Sequence, residues 1–448
     1  MDKMLVGISE DDAKALASLL RSHASQDMKV IELGSFTGSS SLAMLPVISQ
    51  WHGRLYCIDW FKGSPGEGGS QLNLYRDHDV LNVFRTNIRE AGFEDRVFTM
   101  IGTTDVAAEL VGNETADVIF IDADHRYDAV WRDIVTWYPK LKKGGILCGH
   151  DFDMTLRECH YLYTLGKSNL TIASQMTYSS ERTRVSIRTY HPGVTRAVCE
   201  LLPDARQSAA IWHVQKDRQP ELELAMALNG HRGPLDMQFL HACTEEALGR
   251  SRDPAYTRAS IAVILSNSGR KQEALGFIDR ALTENPQQEP LMALLGCILE
   301  ETGDVRASLQ AFLRLAMVRS DEHVHNKIGE IAYRLGELDL ASKHFLQGNN
   351  LSPANPDILS NLAVLSWQRG DRRKAMKSLE SALKYAQGRF YEYPDLLLNY
   401  AMVLEKSGKA QEALHLLTQM DELYQGVVGV KESLTELRQR LRPAETGL

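Results

Sequence analysis

A series of glycines at nearly constant spacing constrains the fold of this chain more than any other feature. Gly269, Gly303, Gly336, Gly370 and Gly408 are separated by intervals of 34, 33, 34 and 38 residues. An alanine or a serine stands five residues after each glycine, and an alanine or a glycine stands seven residues before it. Small residues at fixed positions let two helices cross closely, so the pattern predicts a stack of helix pairs, one pair per repeat.

The intervals resemble those of tetratricopeptide repeats. The resemblance covers residues 254–429, with a weaker helical pair at 221–250 before it and a capping helix at 431–442. The four additional residues of the last interval fit an insertion near residues 387–394. The second half of the chain is therefore predicted to be an all-α solenoid, and such solenoids bind partners on a concave face.

The first half alternates short apolar runs with stretches of helical periodicity. The apolar runs lie at residues 30–33, 54–59, 96–101, 117–122 and 146–149, and the longest helical stretches lie at 39–51, 77–91 and 127–141. Strands that alternate with helices over about 200 residues form a parallel, doubly wound sheet. We predict an α/β doubly wound domain over residues 1–216 and the helical domain over 217–448, with a linker at 217–220.

Composition excludes several classes of protein. The 448 residues carry a formal net charge of −8, which predicts no nucleic-acid partner and no anionic membrane surface. Six scattered cysteines lack the short paired spacings of a disulfide framework or zinc knuckle, which favours a reducing compartment. The acidic first residues show no signal peptide, and no apolar run approaches the ~18 residues of a membrane span. We therefore expect a cytoplasmic protein.

The turn after the first strand is a candidate ligand site. Val30–Leu33 leads into two glycines four residues apart, Gly34 and Gly38, and then into Ser39-Ser40-Ser41. This order predicts a buried strand, a tight turn and a helix start. Glycine lets the backbone approach a ligand, while hydroxyls and free N–H groups at a helix start can hold polar ligand groups. The spacing is not that of the G-x-G-x-x-G dinucleotide fingerprint.

Four acidic residues stand at or just past the ends of predicted strands. They are Glu32, Asp59, Asp122 and Asp151. Because ligands of doubly wound sheets bind outside the carboxyl ends of the strands, we expect these side chains to face one crevice. Each acid alone can also be read as a loop residue or helix cap, and it is their number that favours a functional site.

Taken together, these residues resemble a class I S-adenosylmethionine-dependent methyltransferase. More narrowly, they resemble the branch that includes the macrocin-type sugar O-methyltransferases and the cephalosporin-hydroxylase-like proteins. The resemblance is carried by residues 32–38, 56–60, 120–125, 127–145 and 149–151, and it covers residues 1–216. The stretch from 191–194 to 211–214 resembles the last helix and strand of the family. It implies S-adenosylmethionine as the cofactor.

The resemblance also implies which residues contact the cofactor. The glycine turn would pass beneath its methionine end with Glu32 near the ammonium group, and Asp59 would accept hydrogen bonds from both ribose hydroxyls. Trp60, Thr103 and Thr104 would lie at the adenine, although each can also be read as a wall or turn residue. The implied cofactor-binding residues are Glu32, Gly34, Ser35, Thr37, Gly38, Ser40, Asp59, Trp60, Thr103, Thr104 and Asp122.

A metal site is implied by the acids after the fourth and fifth strands, which hold Mg²⁺ in metal-dependent relatives. Asp122 and Asp151 match these acids, whereas His150 stands where several relatives have a second acid. Mg²⁺ prefers oxygen ligands, and an imidazole suits softer divalent ions. We predict a divalent metal, with Mg²⁺ as the first choice, at Asp122, His150 and Asp151. His150 can equally be read as a residue that only orients a ligand.

His125 and Asp122 are the predicted catalytic residues. His125 would be the general base that deprotonates a substrate hydroxyl, although it could instead only hydrogen-bond loop backbone and orient an acid. Asp124 is predicted to be the N-cap of the next helix. Residues 154–190 are predicted to form a substrate lid, with an ordinary helix and hairpin on the core as the alternative.

The sequence thus predicts an O-methyltransferase that acts on a hydroxyl of a sugar or glycosylated metabolite. Protein or peptide methylation stays open, as does a cofactor-binding interaction scaffold that acts through the repeats. The repeats would bind a protein or peptide partner, shape the site for a small-molecule or glycan acceptor, or join copies of the chain into a homo-oligomer. Hydroxylase chemistry is disfavoured, because the sequence offers no two-histidine, one-carboxylate iron site at a secure spacing.

Overall fold

A computed structural model of the protein describes residues 7–63, 75, 78–155, 176–178, 188–231, 233–386, 394–423 and 435. Among them, no helix is long and apolar enough to cross a membrane. They fall into two compact units, the first ending at residue 268 and the second beginning at residue 269. The first unit thus includes the helices between residues 220 and 267 that follow the sheet. The domain boundary predicted at residue 216 stays a prediction.

A seven-stranded sheet forms the centre of the first unit, with the strand order β3-β2-β1-β4-β5-β9-β8. Its strands are β1 (Lys29–Leu33), β2 (Arg54–Asp59), β3 (Val97–Ile101), β4 (Ala116–Ile121), β5 (Leu141–Gly149), β8 (Arg206–Ser208) and β9 (Ile211–Gln215), and a separate pair is formed by β6 (Met176–Tyr178) and β7 (Arg188–Tyr190). Strands β1 to β5 are parallel, whereas β9 runs antiparallel to β5 and β8 antiparallel to β9. The predicted α/β doubly wound fold is confirmed, with an antiparallel edge that was not predicted.

Helices flank this sheet and continue after it. They are α1 (Glu10–Ser22), α2 (Ser39–Gln50), α3 (Val80–Glu90), α4 (Thr104–Leu110), α5 (Tyr127–Trp137), α6 (Pro192–Leu201), α7 (Pro220–Leu228), α8 (Met237–Arg250) and α9 (Pro254–Asn267). Helix α5 ends four residues before the predicted limit. A 3₁₀ turn at Tyr138–Lys140 replaces its last turn, because Pro139 cannot donate the hydrogen bond that would continue the helix.

The second unit is entirely helical in its described residues. Its helices are α10 (Lys271–Glu284), α11 (Glu289–Glu301), α12 (Val305–Val318), α13 (Glu322–Arg334), α14 (Leu338–Leu351), α15 (Pro356–Gln368), α16 (Arg372–Ala386), α17 (Pro394–Lys406) and α18 (Ala410–Leu423). All five spaced glycines have φ between 77° and 87°, the left-handed conformation that ends a helix and that glycine adopts most easily. The predicted helical repeats are confirmed. The insertion around residues 387–393 and the capping helix at 431–442, residue 435 excepted, lie outside the described residues.

Each repeat pairs a small residue on its first helix with a larger one 16 residues later. Where the small residue is glycine, the partner is phenylalanine: a Cβ on Gly296 would lie 2.5 Å from Phe312, and one on Gly329 would lie 2.4 Å from Phe345. Where the small residue is alanine, the partner is a smaller aliphatic residue, leucine in Ala363–Leu379 and Ala401–Leu417. The need for a small residue is observed at Gly296 and Gly329, where the glycines face the larger partners.

This pairing makes a testable prediction. Gly329→Ala is expected to destabilise helices α13 and α14 by ~1–3 kcal/mol, because the added methyl overpacks the core against Phe345. The double variant Gly329→Ala/Phe345→Leu restores the alanine–leucine pair and should recover most of that loss. Hydrogen exchange of residues 322–351 measures the stability of each variant. If the loss in the double variant equals the sum of the losses in Gly329→Ala and Phe345→Leu, the two positions do not interact and the pairing is contradicted.

Two buried histidines give the same helix pair a dependence on pH. His325 Nδ1 lies 2.9 Å from His344 Nδ1, and both side chains are buried. Burial lowers the pKa of both imidazoles, that of His344 to about 4. The unfolded chain therefore binds more protons between pH 6.5 and 4 than the folded chain does. The stabilisation is complete above pH 6.5 and is lost as the pH falls toward 4.

We expect the free energy of opening of residues 322–351, measured by hydrogen exchange, to fall by up to about 3 kcal/mol between pH 6.5 and 4. The figure follows from the lowered pKa of His344, because each unit of pKa difference corresponds to about 1.4 kcal/mol. His344→Gln removes the titrating group and should flatten that dependence. His241→Gln, which changes an exposed histidine of α8, serves as the control and should leave it unchanged. An equally steep dependence in His344→Gln would show that other groups cause it.

Candidate functional site

The backbone of the glycine turn touches the backbone of the loop after β4. Gly34 has φ of 84°, and a Cβ built on it would lie 2.1 Å from the carbonyl oxygen of Asp122. The Gly34 N–H donates to Ile58 O at 2.9 Å, and the Asp122 N–H donates to Leu33 O at 2.8 Å. Only glycine fits this approach, which fixes the first two strand ends against the loop that carries Asp122 and His125.

Glu32 lies inside the glycine turn and is 0% exposed. Its carboxylate accepts hydrogen bonds from the hydroxyls of Ser35 at 2.7 Å, Ser40 at 2.6 Å and Ser41 at 2.5 Å. Burial raises the pKa of Glu32, and the hydroxyl donors oppose that rise. Glu32 therefore holds the turn and the first turn of α2 together, while its contact with the cofactor ammonium stays a prediction.

Asp59 joins the glycine turn to the end of β2. Its carboxylate accepts backbone N–H groups of Ser35 at 2.9 Å, Phe36 at 2.8 Å and Phe61 at 2.6 Å. Phe36 and Phe61 have φ of 45° and 57°, so two residues in left-handed conformations are held by this one carboxylate. Burial raises the pKa of Asp59, and the backbone donors lower it. Its hydrogen bonds to ribose hydroxyls stay a prediction.

The other predicted cofactor residues lie in the glycine turn, directly after β2 and at the start of α4. Trp60 is 38% exposed directly after β2, and Thr103 is exposed at the start of α4. The Thr104 hydroxyl donates to buried Asp133 at 2.6 Å, and burial raises the pKa of Asp133 to about 7. Thr104 is thus engaged in a bond between α4 and α5. Thr37 is buried, and its carbonyl accepts from the Asn87 amide at 2.8 Å.

A second group of polar side chains surrounds Asp151, which follows β5. Its Oδ2 lies 3.0 Å from Nε2 of His125, and its Oδ1 lies 3.1 Å from Nδ1 of His150 and 3.2 Å from Nδ1 of His191. Asp122 Oδ1 lies 3.5 Å from His125 Nε2 and 3.7 Å from His150 Nδ1. All five side chains are at most 17% exposed. We name these five residues the Asp151 cluster.

Two sets of three possible metal ligands occur in the Asp151 cluster, each with donor atoms within 4.8 Å of one another. One is the predicted set of Asp122, His150 and Asp151. The other is His125, Asp151 and His191, a two-histidine, one-carboxylate combination. The sequence gives no sign of this combination, because residues 125, 151 and 191 are brought together only by the fold.

The donor atoms of the predicted set fit Mg²⁺ poorly. Asp122 and Asp151 offer carboxylate oxygens, but His150 offers an imidazole nitrogen toward them. Mg²⁺ prefers octahedral oxygen ligands, whereas imidazole suits zinc, iron and other transition ions. The predicted metal therefore stays a proposal, and its identity as Mg²⁺ is not supported by this geometry.

Outer carboxylates orient two of these imidazoles. His150 Nε2 lies 3.2 Å from Asp12 Oδ2, and His191 Nδ1 lies 3.0 Å from Asp153 Oδ2. Sequence reasoning missed His191, Asp12 and Asp153 as site residues. Asp12 carries only the local signal of a capping box with Ser9, and nothing in the sequence links it to a histidine 138 residues away.

Electrostatics in the Asp151 cluster favour positive charge between the carboxylates. Burial lowers the pKa of His125, but Asp151 and Asp122 outweigh it and raise that pKa well above its usual range. Asp151 is buried as well, yet His125 and the other imidazoles hold its pKa well below its usual range. The pKa of Asp12 is lowered chiefly by its hydrogen bond with His150.

His125 and Asp124 lie on the loop between β4 and α5. Both ring nitrogens of His125 are buried, and neither has a hydrogen-bond partner among the described residues, since the 3.0 Å approach to Asp151 lacks hydrogen-bond alignment. The alternative that His125 bonds loop backbone is thus not observed there. The predicted N-cap role of Asp124 is wrong: Arg126 occupies that position, and Asp124 accepts the Arg126 N–H at 2.9 Å and pairs with its guanidinium.

The predicted lid at residues 154–190 lies mostly outside the described residues. Of this segment, residues 154–155, 176–178 and 188–190 are described, and the last two form the antiparallel pair β6–β7. The predicted role in substrate binding stays a prediction.

Comparison with known proteins assigns both halves of the chain. Residues 31–152 match a family model described as a methyltransferase domain, and residues 360–426 match one described as a tetratricopeptide repeat. An uncharacterized protein of Acanthamoeba polyphaga mimivirus is 24% identical over 140 residues, which cover 31% of this chain and 57% of that protein. The methyltransferase domain and the repeats predicted from the sequence are thereby confirmed, and the macrocin-type branch stays a prediction.

Solved structures that match part of this chain include TPR proteins. A chain of the APC/C hetero-tetramer Cut9–Hcn1 is 17% identical with a TM-score of 0.38, over 55% of this chain and 45% of that chain. YrrB, a TPR protein with an unusual peptide-binding site, is 13% identical with a TM-score of 0.33, over 44% of this chain and 97% of its own. A thermophilic TPR protein of Thermus thermophilus is 20% identical with a TM-score of 0.35, over 41% of this chain and 99% of its own. The chain thus spans less than two thirds of the mimivirus protein and of the Cut9–Hcn1 chain.

The contact between Gly34 and Asp122 leads to a prediction with a matched control. Gly34→Ala places a methyl against a backbone oxygen and should destabilise β1 by about 3 kcal/mol or more, because a left-handed alanine and a steric clash add. Gly92→Ala has a similar φ of 78° with nothing within 4 Å of the added Cβ, and should cost only about 1 kcal/mol. Hydrogen exchange of residues 29–33 and of 80–92 compares the two, and similar losses would show that the contact contributes nothing.

Proposed function

We propose that this chain, which joins a methyltransferase domain to tetratricopeptide repeats, methylates a hydroxyl of a sugar or glycosylated metabolite with S-adenosylmethionine as donor. The observation that carries this proposal is the backbone contact between Gly34 and Asp122. It brings the turn proposed to bind the donor against the loop that carries the proposed catalytic residues. A methyl group presented at that turn would therefore face the Asp151 cluster.

The donor would be held by the strand ends on the side of β1 and β2. Asp59 would accept hydrogen bonds from the ribose hydroxyls in competition with the backbone N–H groups that it already accepts, among them those of Ser35, Phe36 and Phe61. Trp60, partly exposed beside it, would cover the adenine. Glu32 would act chiefly by fixing the turn, since its carboxylate is fully buried among three serine hydroxyls.

Transfer itself is a displacement in which the acceptor oxygen forms a bond to the methyl carbon as the carbon–sulfur bond breaks. Positioning dominates such a step, because nucleophile, methyl and sulfur must lie in line. His125 Nε2 would take the hydroxyl proton only from the neutral ring. Asp151 and Asp122, at 3.0 and 3.5 Å, raise the pKa of His125, so the neutral ring is the minor form and the imidazolium that results is strongly stabilised. Because Mg²⁺ fits these residues poorly, no step is assigned to it.

A second candidate is methylation of a protein or peptide, which the repeats on the same chain favour because such arrays bind peptides on their concave face. In both cases the repeats would supply a partner or an acceptor to the methyltransferase domain. A further proposed role of the repeats is to join copies of the chain into a homo-oligomer. Light scattering of the purified chain measures its oligomeric state.

The test uses the full chain, tritiated donor, and a panel of glycosides and peptides. We expect label in a glycoside, and we expect His125→Ala to lower kcat by about 10²–10⁴-fold, the typical contribution of a general base. Affinity for the demethylated donor, measured by calorimetry, should stay within about twofold, since His125 does not contact the proposed donor turn. His241→Ala is the surface control. Label in peptides alone would favour the second candidate, and donor binding without any turnover would leave an interaction scaffold.

A second prediction isolates the donor site. Asp59→Asn keeps the volume of the side chain but removes the charge that accepts from Ser35, Phe36 and Phe61. We expect at least about a tenfold loss of affinity for S-adenosylhomocysteine, because hydrogen bonds to a charged acceptor are worth ~1.5–3 kcal/mol each. Asp95→Asn, an exposed acid near β3, should change nothing. Unchanged affinity in Asp59→Asn would remove this residue from the donor site.

A further inference from the structure

The donor atoms around Asp151 disagree with the ion that the sequence resemblance implies. We propose that Asp122, His150 and Asp151 bind a first-row transition ion such as Mn²⁺ or Zn²⁺, and that Asp12 is the positioning residue that prepares His150 for it. The inference deepens the proposed function and rests on it only in placing an acceptor hydroxyl beside this ion.

Asp12 determines which ring nitrogen of His150 faces the other two residues. Its Oδ2 lies 3.2 Å from His150 Nε2, while its Oδ1 accepts the backbone N–H of Ala210 at 2.8 Å. An ionised carboxylate can only accept hydrogen bonds, so Nε2 carries the hydrogen. When the ring is neutral, His150 Nδ1 carries a lone pair that faces Asp151 and Asp122.

Three lone-pair atoms consequently converge. His150 Nδ1 lies 3.1 Å from Asp151 Oδ1 and 3.7 Å from Asp122 Oδ1, and one donor atom from each residue lies within 4.8 Å of the other two. Such atoms repel one another unless a positive charge lies between them. A metal ion supplies that charge, and a carboxylate on the far nitrogen is the usual partner of a metal-bound histidine.

The chemistry of the donors selects the class of ion. An imidazole nitrogen with two carboxylate oxygens suits Mn²⁺, Fe²⁺ or Zn²⁺, whereas Mg²⁺ prefers oxygen donors alone. The neighbouring set of His125, Asp151 and His191 shares one ligand, but His191 Nδ1 is already hydrogen-bonded to Asp153. We therefore assign the ion to the His150 set. A second proton on His150 is the alternative source of positive charge, and it requires no metal.

The test measures metal binding by the full chain without donor or acceptor. After treatment with chelator, calorimetry with MnCl₂, ZnCl₂ and MgCl₂ should show one Mn²⁺ or Zn²⁺ per chain, bound at least about tenfold more tightly than Mg²⁺. Electron paramagnetic resonance of the Mn²⁺ form should show coupling to a nitrogen nucleus. That coupling should disappear in His150→Ala.

Variants test the positioning role of Asp12. Asp12→Asn should weaken Mn²⁺ binding by about 10–100-fold, the usual effect of removing a carboxylate that orients a metal-bound histidine. Asp11→Asn changes an exposed acid in the same first turn of α1 and should leave the affinity within about twofold. His191→Ala should also leave the nitrogen coupling in place.

Several outcomes overturn the proposal. They are Mg²⁺ binding as tightly as Mn²⁺ and Zn²⁺, no metal binding at all, unchanged affinity in His150→Ala, and loss of the nitrogen coupling in His191→Ala rather than in His150→Ala. Binding of Mn²⁺ as expected by a chain that transfers no methyl group would contradict the proposed function alone. Methyl transfer by a chain that binds no ion would contradict the metal alone.

Discussion

The backbone of Gly34 touches the backbone of Asp122, and the rest of the site depends on that contact. It joins the turn after β1 to the loop after β4, with no side chain between them. Glu32 and Asp59 then fix the turn from two sides, one through serine hydroxyls and the other through backbone N–H groups. The consequence is a junction in which the turn after β1 and the loop after β4 are held against each other.

The Asp151 cluster shows a different kind of constraint, since its members come from separate parts of the chain. The carboxylate of Asp151 lies among the imidazoles. Two further carboxylates contact these rings, Asp12 at Nε2 of His150 and Asp153 at Nδ1 of His191. Burial makes such charges costly to leave unpaired. The imidazoles and carboxylates therefore stabilise one another's charged forms, and an arrangement of this kind can accept either a proton or a metal ion.

The sequence predicts local features well and long-range contacts poorly. The glycine turn and the helical repeats each depend on residues close together in the chain, so spacing alone reveals them. The bond between Asp12 and His150 spans 138 residues, and His191 joins the site only because the edge of the sheet folds back. The misassigned Asp124 is a local miss, since it pairs with Arg126 two residues later and Arg126 takes the capping position. The macrocin-type branch, the acceptor and the metal depend on contacts that no local pattern encodes.

The glycine–phenylalanine and alanine–leucine pairs have a consequence for how the helical half can change over evolutionary time. Both members of a pair belong to one repeat, 16 residues apart. A duplicated or deleted repeat therefore carries its own matched volumes and leaves the fit inside its neighbours untouched. Arrays of this kind can lengthen or shorten as whole cassettes, whereas single substitutions at either position must wait for a compensating partner.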